Sequence, residues 1–159
     1  MILLSILSMS DREWANQKRI YQQRIETIRI PTEATPSITM GILSRIDSFF
    51  SEIKLYLAEL EASKEKTESI IREFEREKAL GSNETDRKRN ATLALQEYQL
   101  PSGQVVNMYQ IHRDVTERFI YLKSLVDVIF AKQQRLITVT GLLKLEKELL
   151  PAMNAGIDL

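Results

Sequence analysis

Two long runs of apolar residues, each stepping alternately by four and three, decide most of what this chain can fold into. The first passes through Ile42, Ile46, Phe49, Ile53, Tyr56, Leu60, Ser63, Thr67, Ile70 and Phe74. The second passes through Val105, Met108, His112, Val115, Phe119, Leu122, Val126, Ile129, Gln133, Leu136, Thr140 and Leu143. A repeat of about 3.5 residues keeps one seam of an α-helix apolar along its length, as side-by-side packing of long helices requires. A strand would need a period of two. The expected fold class is therefore all-α, with long amphipathic helices forming a hairpin or bundle with coiled-coil-like heptads. Extended helices bury little surface alone, so the assembly is expected to be oligomeric. The middle of the second run, Val115, Phe119, Leu122, Val126 and Ile129, supplies the expected self-association contacts.

The breaks in these patterns divide the chain. With 5 Gly and 4 Pro in 159 residues and 7% aromatics, there is little material for turns and strands. Pro31 and Pro36 end a first helix expected from Asp11 to Ile28, because proline lacks a donor and pushes its predecessor out of the helical region. A second helix is expected from Ser37 to Leu80, stopped by Gly81 as a left-handed C-cap. A third, capped by Asn83 or Ser82, runs from Glu84 to Gln99 and ends at Leu100-Pro101-Ser102-Gly103. A fourth starts near Gln104 and kinks or splits at Gly141. Beyond it Leu142, Leu145 and Leu149 continue an apolar edge to Pro151. The organisation is thus an N-terminal helix (residues 1–30), a proline linker (31–36), a helical hairpin or bundle domain (37–150) and a flexible tail (151–159).

Residues 1–9 are apolar but too short to cross a bilayer. Three readings are open for them: an extension upstream of a true start at Met9, a packing segment, or a membrane or export signal. Ser10-Asp11-Arg12-Glu13 is a capping box that starts a helix without them, which favours the first.

Charge narrows the function. Lys and Arg number 22, and Asp and Glu also 22, so only a local patch would hold nucleic acid. The absence of cysteine removes thiolate metal sites and thiol nucleophiles and fits a reducing cytoplasm. His112 is the only histidine and lies on the apolar seam, where packing explains it better than catalysis. No phosphate-binding glycine loop or nucleophile elbow is present. The expectation is a non-enzymatic protein with no cofactor, no metal and no membrane span.

Two cation clusters are candidates for phosphate binding. Lys18, Arg19 and Arg24 are interleaved with Trp14 and Tyr21, a pattern able to grip phosphates and stack bases. The preferred alternative turns Trp14 and Tyr21, seven residues apart, inward and leaves the cations to water. The other cluster is Arg76, Lys78, Arg87, Lys88 and Arg89, gathered across the Gly81 turn, with Glu77, Glu84 and Asp86 cancelling much of its charge.

The segment Gly81-Ser82-Asn83-Glu84-Thr85-Asp86-Arg87-Lys88-Arg89-Asn90-Ala91-Thr92-Leu93-Ala94-Leu95 resembles a G-x-N-E-x-x-R-K-x-x-x-x-L turn between two helices of small phage-encoded proteins. The layout of long helix, basic turn and long helix is similar to the T-even phage recombination mediators of the UvsY type. Those are helical homo-oligomers that bind single-stranded DNA and help load a RecA-like recombinase in place of single-strand-binding protein. The resemblance implies that Arg87, Lys88 and Arg89 contact DNA backbone and that the helix around Tyr121 to Glu148 drives oligomerisation. It also implies a recombinase or single-strand-binding protein as partner and the host cytoplasm as location. The alternative is a structural or assembly protein, such as a phage scaffold, tail or neck component or a coiled-coil adaptor, with no nucleic-acid binding.

Overall fold

A computed structural model of the chain describes residues 9–31, 35–77, 81 and 83–155, with side chains as far as residue 150. Among these residues there are four helices: α1 (Asp11–Thr27), α2 (Pro36–Glu77), α3 (Glu84–Gln96) and α4 (Met108–Ala155). A short antiparallel hairpin of β1 (Tyr98–Gln99) and β2 (Val105–Val106) lies between α3 and α4. The chain divides into two compact units. One takes the residues up to Lys54 and those from Ser124 on; the other is Leu55–Lys123. Helices α2 and α4 contribute to both.

Each helix starts where its sequence can satisfy the free N–H groups of a first turn. At α1 the capping box forms: the Glu13 carboxylate accepts from the Ser10 amide at 2.7 Å, and the Glu13 amide donates to Ser10 Oγ at 3.4 Å. Thr35 caps α2 by accepting from the Ile38 amide, and Pro36 takes the first helical position, where its missing donor costs nothing. Asn83 caps α3 by accepting from the Asp86 amide at 2.9 Å. Asn107 does the same for α4, through the Gln110 amide.

In the first unit the expected seams become the core. Ile46, Phe49 and Ile53 of α2 and Leu125, Ile129 and Leu136 of α4 are buried, together with Trp14, Tyr21 and Ile28 around α1. Helix α1 does not stand apart as a separate N-terminal element. Tyr21 packs against Phe49 with ring centroids 6.0 Å apart, and Lys132 of α4 donates from Nζ to the carbonyls of Ile25 and Ile28 at 2.8 and 2.9 Å. That ammonium satisfies the Ile28 carbonyl, adds a second donor to the Ile25 carbonyl, which also accepts from the Ile28 amide, and meets the negative end of the α1 dipole.

In the second unit Leu60 and Thr67 of α2, Ala91 and Leu95 of α3, and Met108, Val115 and Leu122 of α4 are buried. Phe74 meets Tyr98 edge-on, with centroids 4.9 Å apart. Four sequence expectations are corrected. First, α3 ends at Gln96, and the chain then pairs Tyr98 with Val106 and Gln99 with Val105. The Leu100 and Gly103 amides close the connection, donating to the Gln104 and Leu100 carbonyls, with Gly103 at φ 85°. Second, α4 therefore begins at Met108. Third, Gly81 is not a left-handed cap. Its φ is 156°, and it is needed because an added Cβ would lie 2.8 Å from Cβ of Asp86. Fourth, Gly141 neither ends nor divides α4, which continues through it to Ala155 and so into the segment expected as a tail.

Candidate functional site

The α3 N-terminus carries the cations that the sequence singled out. Arg76, Arg87, Lys88 and Arg89 are all exposed in the second unit; Lys78 lies outside the described residues. Asn83 orders the turn, and the Arg87 guanidinium is drawn back onto it, donating from Nε to the Gly81 carbonyl at 3.1 Å. Lys88 Nζ pairs with Glu84 at 2.6 Å, one turn away. Arg76 and Arg89 form no ion pair among the described residues. A groove of about 510 Å3 lies here, lined by Glu75, Glu84, Arg87, Lys88, Ala91 and Thr92. Two of its four charged residues are carboxylates. Glu75 also accepts from the Tyr109 hydroxyl at 3.0 Å. Burial, and then this carboxylate, push the Tyr109 phenol above its ordinary pKa. Across the Leu55–Lys123 unit the sequence has 11 Lys and Arg against 12 Asp and Glu. The surface thus offers free guanidiniums but not a one-signed field.

The α1 cluster matches the preferred reading in its aromatics, which turn inward, but of its three cations only Arg19 is left exposed. Trp14 and Tyr21 are buried. Lys18 sits over the Trp14 ring at 5.9 Å, and Arg19 is exposed. Arg24 is engaged twice, pairing with Glu52 at 2.8 Å and covering the Phe49 ring at 4.0 Å. The aromatic faces a base would stack on are therefore used in packing.

His112 packs in the second unit with its Nδ1 2.9 Å from Thr67 Oγ1. No group of three or more His, Cys, Asp or Glu among the described residues is placed to hold a metal ion. No helix among them is long and apolar enough to cross a membrane.

The expected self-association residues are already occupied. Val115 and Leu122 are buried in the second unit and Ile129 in the first, with Phe119 and Val126 half-buried. The open apolar surface lies elsewhere on α4. Phe130 and Ile137 are each 51% exposed, and Leu142, Leu145 and Leu149 are 60, 55 and 59% exposed. Leu145 lies nine residues, about two and a half turns, beyond buried Leu136, so it points from the opposite side of the helix. The apolar edge read as a continuation of the seam is thus a second, outward stripe. Scattered single exposures need no explanation, whereas an apolar stripe along one side of a helix is a feature that a functional reading has to account for. Of the exposed large apolar residues between Val128 and Leu150, Phe130, Ile137, Leu142, Leu145 and Leu149 lie on this outward side, whereas Leu150, fourteen residues beyond Leu136, lies on the Leu136 side.

No known family model, curated protein or solved structure matches the chain.

Proposed function

We propose that this chain is a non-enzymatic assembly protein that works by binding another helix along the outward stripe of α4. The observation that carries the reading is the doubly apolar character of α4 beyond Ser124. One face supplies buried Leu125, Ile129 and Leu136, and the opposite face leaves Leu142, Leu145 and Leu149 in water. Covering a half-exposed leucine is worth roughly 1 kcal/mol, so several in register favour association of two helices. The test compares the full chain with Leu142→Ser/Leu145→Ser by sedimentation. The reading expects an associated wild type and a monomeric variant of unchanged helicity. Equal sedimentation of the two would remove it.

A second reading keeps a role with single-stranded DNA, in the manner of the recombination mediators. It is supported by the exposed Arg76 and Arg89 and by Arg87 beside them. Each phosphate contact would add about −0.7 to the slope of log K against log salt. A salt titration with a labelled oligonucleotide should show a slope that Arg87→Ala/Arg89→Ala flattens. No binding at low salt would leave the assembly reading alone.

A further inference from the structure

We infer that the partner on the α4 stripe is a second copy of this chain, packed antiparallel, with the two helices crossing beside Gly141. The inference rests on the assembly reading and names its partner. Its starting point is a pair of charges. Arg135 and Glu146 are both exposed, and neither makes an ion pair among the described residues. They are 11 residues apart, about three full turns, so they share one edge of the helix, flanking the stripe.

In two parallel copies related by a two-fold along the helices, this edge lies beside the opposite edge of the partner, so Arg135 and Glu146 would not meet. An antiparallel pair related by a two-fold axis keeps an edge opposite the same edge while reversing its direction. Arg135 of one copy then meets Glu146 of the other, and the symmetry makes the pair twice. The midpoint of 135 and 146 falls between Thr140 and Gly141. Gly141 lies on the stripe, four residues before Leu145 and four after Ile137, and nothing stands within 4 Å of where its Cβ would be. A residue without a side chain at the crossing point lets two backbones approach closely, so the flanking apolar residues interlock. The same register brings Ile137 of each copy to Leu145 of the other. Charge pairing, small residue and apolar stripe thus agree on a single axis.

The contact spans roughly five turns of one helix, at the small end of specific interfaces, which bury about 1,200 Å2 or more. Micromolar association is expected.

The full chain carries its own test. Arg135→Glu and Glu146→Arg each place like charges together twice. Each should weaken self-association by roughly tenfold or more, as facing like charges do. The double variant R135E/E146R restores both pairs and should regain wild-type association. Mixing the two single variants should give a heterodimer, since every cross-copy pair is then Glu with Arg. Loss of association in both singles, with recovery in the double and in the mixture, is the expected result. If the charge variants associate like wild type while Leu142→Ser/Leu145→Ser is monomeric, the stripe stands as the assembly surface and the antiparallel arrangement is overturned. A wild type monomeric at tens of micromolar also overturns the arrangement. Association that survives Leu142→Ser/Leu145→Ser overturns the stripe itself.

Discussion

Thr67 and His112 share a hydrogen bond whose donor depends on the imidazole tautomer. Thr67 Oγ1 lies 2.9 Å from the Lys64 carbonyl and 2.9 Å from His112 Nδ1. A hydroxyl has one proton, and a carbonyl oxygen can only accept. If the Thr67 proton goes to Lys64, His112 donates from Nδ1, and this is the arrangement expected. The prediction is a neutral ring in the Nδ1–H form. Nitrogen-resolved NMR of the imidazole should find the proton on Nδ1; a proton on Nε2 in the neutral ring would contradict the assignment. Thr67→Val removes the acceptor and should cost roughly 1 kcal/mol in chemical denaturation.

Acid should loosen the start of α1. Hydrogen bonds from the Ser10 side chain, and then from its backbone amide, hold the Glu13 carboxyl below its ordinary pKa. A depressed folded-state pKa contributes stability that is fully present above the unfolded value. It is lost as pH falls through the folded value. Helicity at the N-terminus, followed by amide exchange, should thus fall on acidification below the ordinary glutamate range, and Glu13→Gln should flatten that response. Ser10→Ala should lower the thermal midpoint by about 2–4 °C at neutral pH.

Gly81, in the turn before α3, and Gly141, inside α4, should answer oppositely to alanine. Gly81→Ala would force its methyl into Asp86 and should destabilise the chain by roughly 1–2 kcal/mol. Gly141→Ala meets open space within its own chain and should stabilise the unassociated chain by about 0.5–1 kcal/mol, measured at concentrations too dilute for association. Denaturant midpoints check both, and effects of the same sign would contradict the placement of one glycine.

Lys132 should hold α1 in place. Its ammonium serves two carbonyls at the end of α1, so Lys132→Met, which keeps the stem, should cost about 2 kcal/mol. Exchange should rise in α1 before it rises in the α4 core. Uniform loss across the first unit would show that the side chain packs rather than caps.

Much of this architecture is legible in the heptads. Ile46, Phe49, Ile53, Leu60 and Thr67 on one helix and Met108, Val115, Leu122, Ile129 and Leu136 on another were marked by spacing and are buried. The Ser10 and Asn83 caps were legible for the same reason, since they are local. The hairpin was not read, although Tyr98, Val105 and Val106 around a Pro-x-Gly loop carry its signal; four paired residues are too few to show a period. Lys132 on α1 could not be read, because the partners are more than 100 residues apart. The seam expected for self-association contributes Val115, Leu122 and Ile129 to the chain's own cores, for a physical reason. A heptad says that a face is covered but not by which chain, and here α1, α2 and α3 supply buried residues of the same cores. Leu142, Leu145 and Leu149 were visible as an edge; that the edge faces away from Leu136 follows from α4 running unbroken through Gly141.

The central claim, that the outward stripe of α4 is an assembly surface, is tested most directly by sedimentation equilibrium of the full chain beside Leu142→Ser/Leu145→Ser. The account predicts a wild type heavier than one copy at tens of micromolar and a variant with the mass of one. Identical masses at matched concentration would contradict it.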